Sequence, residues 1–187
     1  MTTSSIILGI LFVICLTAPV ATRSMGLMSA DDQPSQKWKI SCMFALSQGV
    51  AAGIGYTLGR LFFHLFTYIA DYMVFAMMLV VAVKMFVDSM RILKGKMLYT
   101  INKELDIFLL SIMAAMNTFL MSLMGPHFMP FGYWFFLIVI LAGFVWSFFT
   151  VRIEFKPEMI KKLSFIEFSA SVFMVVISVL YLFTDLI

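Results

Sequence analysis

Six long apolar runs, separated by short polar punctuation, organise this chain. They cover 6–21, 40–66, 72–87, 107–125, 131–151 and 165–187, each close to the ~20 residues that a helix needs to cross the hydrocarbon of a bilayer. The pattern predicts an all-α integral membrane protein, a single membrane domain over 1–187 with six transmembrane helices. Gln48 and Asn117 fall near the middle of the second and fourth runs, and no carboxylate is expected near the centre of any run.

Composition agrees with lipid as the solvent. The chain is 63% hydrophobic and 12% charged, with a mean hydropathy of +1.04, whereas soluble domains use roughly 45 to 50% apolar and 25% charged residues. Cys15 and Cys42 both lie inside apolar runs, which leaves neither a disulfide framework nor a zinc-type spacing. The net charge of +3 is informative through its distribution. If the first helix enters from outside, the connections after helices 1, 3 and 5 hold eleven basic residues, from Arg23 to Lys162, and the opposite side holds Arg60 alone. By the positive-inside bias both termini are outside and the basic connections are cytoplasmic. Separate basic loops beside membrane spans are topology determinants rather than a nucleic-acid footprint. The first 22 residues also admit a signal-peptide reading, with Ala-Pro-Val-Ala after the apolar run, but their leading residues carry no Lys or Arg.

A weak internal repeat gives the six runs an order. Sliding 14–26 by 99 positions lays Ser24-Met25-Gly26 on Leu123-Met124-Gly125 and Ala18 on Asn117, and Phe86-Val87-Asp88 matches Phe183-Thr184-Asp185. Three helices per unit is odd, so the second unit is expected upside down relative to the first, as in inverted-repeat transporters. The expected halves are about 5–93 and 106–187, joined by a cytoplasmic loop at about 94–105. The site belongs between them, in a cavity among helices 1, 2, 4 and 5.

Gln48 and Asn117 can offer carbonyl oxygen to a cation or tie helices together by hydrogen bonds. Thr17 and Thr118 stand beside them, and Pro19 releases backbone carbonyl oxygen in helix 1. Lys84, inside the third run, has Asp88 one turn onward. The pair can gate or couple to protons, or Lys84 can snorkel to the inner surface and pair with Asp88 there. Small residues at four-residue spacing, Ala45, Gly49, Gly53 and Ala51, Gly55, Gly59, predict close helix packing. Seventeen methionines, including Met113, Met116, Met121 and Met124, are expected as core filler rather than a copper path. His64 and His127 are expected at the outer boundary, and Asp31 and Asp32 in a solvated turn. No hydrolase, zinc-protease or phosphate-loop motif is present, so the expectation is a non-enzyme with no cofactor.

Several stretches resemble the manganese efflux pump (MntP) family, six-helix exporters of two inverted repeats within the lysine-exporter superfamily. Ala82-Val-Lys-Met-Phe-Val-Asp-Ser89 is similar to the family's Gly-Gly-Arg-Met-Ile-Ile-Glu-Gly, with Lys84 and Asp88 at its basic and acidic positions. Phe44 to Tyr56, Ala115-Met-Asn-Thr-Phe119 and Leu16-Thr-Ala-Pro-Val20 resemble its helix 2, helix 4 and helix 1 segments. The family's mid-membrane carboxylates are replaced by Ala18, Gln48 and Asn117. The resemblance implies a multi-pass protein of the bacterial plasma (inner) membrane that exports manganese or another divalent cation, with an altered ion site. Gln48, Asn117, Thr17 and Thr118 would then bind the ion. Neutral amides suit a divalent cation less well than carboxylates do, so two alternatives stand beside export of Mn2+: an exporter of small organic solutes such as amino acids, and a non-transporting or regulatory membrane protein.

Overall fold

The computed structural model describes residues 3–25, 27–28, 34–63, 67–95, 99–100, 104–128, 134–153 and 158–184. Six helices account for most of them: α1 Thr3–Met25, α2 Pro34–Phe63, α3 Ala70–Leu93, α4 Glu104–Phe128, α5 Trp134–Thr150 and α6 Met159–Thr184. Two short strands, β1 Leu27–Met28 and β2 Tyr99–Thr100, pair in parallel. Each apolar run thus contains one helix, and several helices outgrow their runs. Helix α1 carries on through Arg23 to Met25, and α6 begins six residues before its run. Pro34 opens α2, a position where a missing N–H costs nothing. Gly95 closes α3 in the left-handed conformation (φ 69°), its N–H bonded to the Ile92 carbonyl.

Three helical segments, Ala70–Leu93, Leu105–Pro126 and Met159–Tyr181, are long and apolar enough to cross a membrane, and Gly9–Met25 and Trp134–Thr150 are shorter apolar helices. The outer surface is apolar: Leu46, Val50, Ile54, Leu58 and Leu61 form an exposed stripe along α2, and Leu137, Leu141, Val145 and Phe149 another along α5. The interior, by contrast, holds Arg23, Gln48, Asp88, Asn117 and Glu167. Apolar outside and polar inside is the distribution that lipid selects.

Helix packing runs almost wholly between the first three helices and the last three. Helix α2 lies on α4 and α5, α3 on α6 and α4, and α1 on α4, α5 and α6. One end of the bundle gathers Met25, Ile92 and Leu163 from α1, α3 and α6, the β1–β2 pair, and Trp38 edge-on to Phe144 at 5.3 Å. Lys39, Arg91, Lys94, Arg152, Lys161 and Lys162 are exposed near that end. At the other end the Tyr181 hydroxyl donates to Asp71 at 3.0 Å, and Tyr56 meets Phe136. Successive helices therefore alternate in direction. A core of Phe12, Leu16, Val74, Met78, Met121, Phe135, Val139 and Met174 fills the bundle between α1, α3, α4, α5 and α6.

Candidate functional site

A charged cluster lies buried where α1, α3, α4 and α6 meet. Arg23 projects from the last turns of α1 and donates through Nη2 to Asp88 Oδ2 of α3 at 3.0 Å and through Nη1 to the Met113 carbonyl of α4 at 2.9 Å. Asp88 is also 3.9 Å from Lys84 Nζ and 3.8 Å from Arg91 Nη1. Lys84 Nζ in turn donates to Asn117 Oδ1 at the middle of α4. An ammonium has no acceptor, which fixes the Asn117 oxygen toward Lys84. The links form a file from the basic end of the bundle toward its middle. Glu167 of α6, 1% exposed, stands beside this file with Oε2 accepting from the Thr22 hydroxyl at 2.6 Å. Thr22 has a second acceptor within reach, the Pro19 carbonyl at 3.1 Å.

Gln48 belongs to a second, uncharged cluster. Its Oε1 accepts from the Thr118 hydroxyl, Ser122 donates to the Thr118 carbonyl at 2.6 Å, and the Gln48 side chain lies on Gly143 of α5, where an added Cβ would come within 3.0 Å of Gln48 Cγ. Ser147, one turn along α5, is fully buried. Among the described residues, five buried side-chain atoms have no hydrogen-bond partner: Arg23 Nε, Gln48 Nε2, Asn117 Nδ2, Ser147 Oγ and Glu167 Oε1. Buried polar atoms are ordinarily satisfied, and these five fall in the two clusters.

Gln48, Asn117 and Thr118 are all buried, Gln48 with Thr118 in the uncharged cluster and Asn117 with Lys84 in the charged one. Thr17 is buried too, but its hydroxyl is turned back on the Val13 carbonyl of its own helix at 2.8 Å. Lys84 keeps the expected approach to Asp88, at 3.9 Å, and its ammonium also reaches inward to Asn117. Two other expectations need correction. The shortest ion pair of Asp88 is with Arg23, a residue expected in a loop and found inside α1, facing the core. The charged cluster joins α1, α3, α4 and α6, so the polar interior is not confined to helices 1, 2, 4 and 5. Glu167, near the N-terminal edge of the last apolar run, is a buried carboxylate that the pattern of apolar runs did not single out.

Glu167 carried a readable signal. Leu163, Ser164, Glu167, Ala170, Ser171, Met174, Ile177 and Ser178 recur at three- and four-residue spacing and are all buried, whereas Phe165, Phe168, Val172 and Phe173 face outward. A stripe of small and polar residues on an otherwise apolar helix marks its inward face.

Among the described residues no group of three or more His, Cys, Asp and Glu could hold a metal ion. Met121 and Met124 belong to the apolar core, and Met113 and Met116 face outward. Asp31, Asp32, His64 and Asp185 lie outside the described residues, as does the side chain of His127. A cavity of about 580 Å³ between α2 and α4, lined by Leu46, Ser47, Val50, Phe108, Ile112 and Met116 among others, is apolar and apart from both clusters. No protein-family model, curated protein or solved structure matches the chain.

Proposed function

We propose that the chain is a small membrane transporter whose cargo crosses between two inverted three-helix halves. One observation carries this reading, the file Arg23–Asp88–Lys84–Asn117 buried in a bundle with an apolar exterior. Ionisable groups inside a membrane bundle are costly and are kept where solutes or protons pass. The interleaved packing of α1–α3 with α4–α6 supports the two halves: α2 on α4 is mirrored by α5 on α1, and α1 on α6 by α4 on α3, as a twofold relation between the halves requires. The basic end supports a cytoplasmic assignment for that side.

Export of manganese or another divalent cation is the cargo that the resemblance to the manganese exporters supports. Asn117 Oδ1 and Gln48 Oε1 would supply oxygen, and the Lys84 ammonium would compete with the cation for Asn117. A second reading has its own observation. Three of the five unpartnered buried atoms are N–H donors and one is a carboxylate oxygen, a set that matches a small organic solute bearing both a carboxylate and an ammonium group, such as an amino acid.

Uptake of Mn2+ into inside-out vesicles tests the first reading. Flux in the wild-type chain that falls to background in Gln48→Ala and Asn117→Ala supports it, and equal rates in all three reject it. Exchange of labelled amino acids in the same vesicles tests the second.

A further inference from the structure

Glu167 has the surroundings of a group that changes its charge in place. It is buried on α6, and the elements packed against α6 are α1 and α3. Thr22 of α1 hydrogen-bonds to it, and the charged groups nearby on the packed elements are Arg23 of α1 and Lys84 and Asp88 of α3. Arg23 is nevertheless committed to Asp88 and Met113, and Lys84 to Asn117. Among the described residues Glu167 has no ion pair within 4.0 Å, and its Oε1 has no partner at all. Taking up or releasing a proton therefore breaks no salt bridge.

The Thr22 hydroxyl adds a stereochemical argument. It has one proton and two acceptors within reach, Glu167 Oε2 at 2.6 Å and the Pro19 carbonyl at 3.1 Å. When Glu167 is ionised, Thr22 donates to Oε2. When a proton sits on Oε2, the carboxyl donates to Thr22 Oγ1, and the hydroxyl hydrogen turns to the Pro19 carbonyl. Either state keeps its hydrogen bonds, with a rotation of one hydroxyl as the sole change.

We propose that Glu167 is the proton-exchanging site of this protein, held in both charge states by the rotating Thr22 hydroxyl, so that its proton exchange is coupled to the movement of cargo. The proton taken from one side binds the carboxylate and is given up to the other side from the same group, leaving no net change in the protein. The site itself stands on the geometry above, and only its coupling to cargo rests on the transporter reading.

The test has a spectroscopic arm that needs no cargo. Infrared difference spectra of the purified full chain, taken across a pH titration, are expected to contain a protonated-carboxyl stretch that is lost in Glu167→Gln and retained in Asp88→Asn. Thr22→Val should shift the band to higher frequency by removing a hydrogen bond, and Thr22→Ser should restore it. A titrating band unchanged in Glu167→Gln, or no titrating carboxyl in the wild-type chain, overturns the proposal. Should Glu167→Gln fail to fold, the Thr22 pair decides: identical spectra in Thr22→Val and Thr22→Ser also overturn it. In vesicles with an imposed pH gradient, Mn2+ flux driven by the gradient in the wild-type chain and not in Glu167→Gln supports coupling. Flux that ignores the gradient overturns it. Absent Mn2+ flux with an intact titrating band sinks the manganese reading and leaves the proton site standing.

Discussion

Asp88 is the residue on which the buried charges converge. Three cations lie within 4.0 Å of it, yet its shortest contact, 3.0 Å, is with Arg23, and both side chains of that pair are almost fully buried. Removing one member leaves the other charged and without its partner, which in buried pairs costs about 3 to 5 kcal/mol. Asp88→Asn should therefore lower unfolding stability in detergent by an amount of that order. Replacing both members, Arg23→Met with Asp88→Leu, should cost less than the sum of the two single changes, as a double-mutant cycle would measure. Lys84 predicts a different signature. Because its ammonium holds Asn117 Oδ1, Lys84→Met should strengthen Mn2+ binding about tenfold if a cation competes for that oxygen, equivalent to about 1.4 kcal/mol. If the cargo carries a carboxylate that Lys84 receives, the same change should abolish binding; isothermal titration of the purified variant separates the two. Gln48 and Asn117 stand out in the sequence because an amide in the middle of an apolar run is uncommon. Arg23 does not, since a basic residue at the edge of an apolar run reads the same whether it marks the cytoplasmic side or turns inward. Its partner is 65 positions away.

At the scale of the helices, the glycines of α2 do separate work that their common spacing conceals. A Cβ at Gly59 would come within 2.1 Å of the Leu123 carbonyl, and one at Gly55 within 2.6 Å of the Phe119 carbonyl, so these two set the close approach of α2 to α4. Gly49 faces the side chain of Ile140 on α5, and a Cβ at Gly53 would meet nothing within 4 Å. Gly59→Ala should force the helices apart and destabilise by roughly 1 to 3 kcal/mol. Gly53→Ala should be neutral or stabilising by up to about 1 kcal/mol, the helix propensity gained. Denaturation midpoints of the two variants in one detergent would show the contrast. Spacing alone established that α2 packs closely, because four-residue periodicity defines a face. It could not say which neighbour each glycine meets, and Gly53, inside the same stripe, meets none. Helix boundaries were hidden for a related reason. Apolar runs report the stretch in contact with lipid or core, while α1 and α6 extend past theirs because Arg23 and Ser164 find partners on α3.

For the molecule as a whole, alternation of helix direction has a consequence for its ends. Met25 of α1 and Leu163 of α6 meet at the basic end of the bundle. The N-terminal part of α1 and the C-terminal part of α6 therefore point toward the opposite end, where Tyr181 bonds Asp71. If the positive-inside bias sets the basic end in the cytoplasm, both ends of the chain should be outside. Single cysteines at Ser5 and Thr184, in a chain whose Cys15 and Cys42 have been replaced, should both react with a membrane-impermeant maleimide in intact cells, and a cysteine at Lys94 should react only after lysis. Labelling of the two ends from different sides would remove the odd helix count on which the inverted halves depend. The same experiment bears on the site. The file from Arg23 to Asn117 begins at the basic end and stops in mid-bundle, beyond which Leu16, Met78, Met121 and Phe135 form a continuous apolar core. On the transporter reading, a cargo that reaches Asn117 from the basic end must cross that core to leave, and separation around α1 and α4 would open it. A cross-link that joins α1 to α4 on the outer side should stop flux while leaving cargo binding intact, whereas undiminished flux would place the path elsewhere.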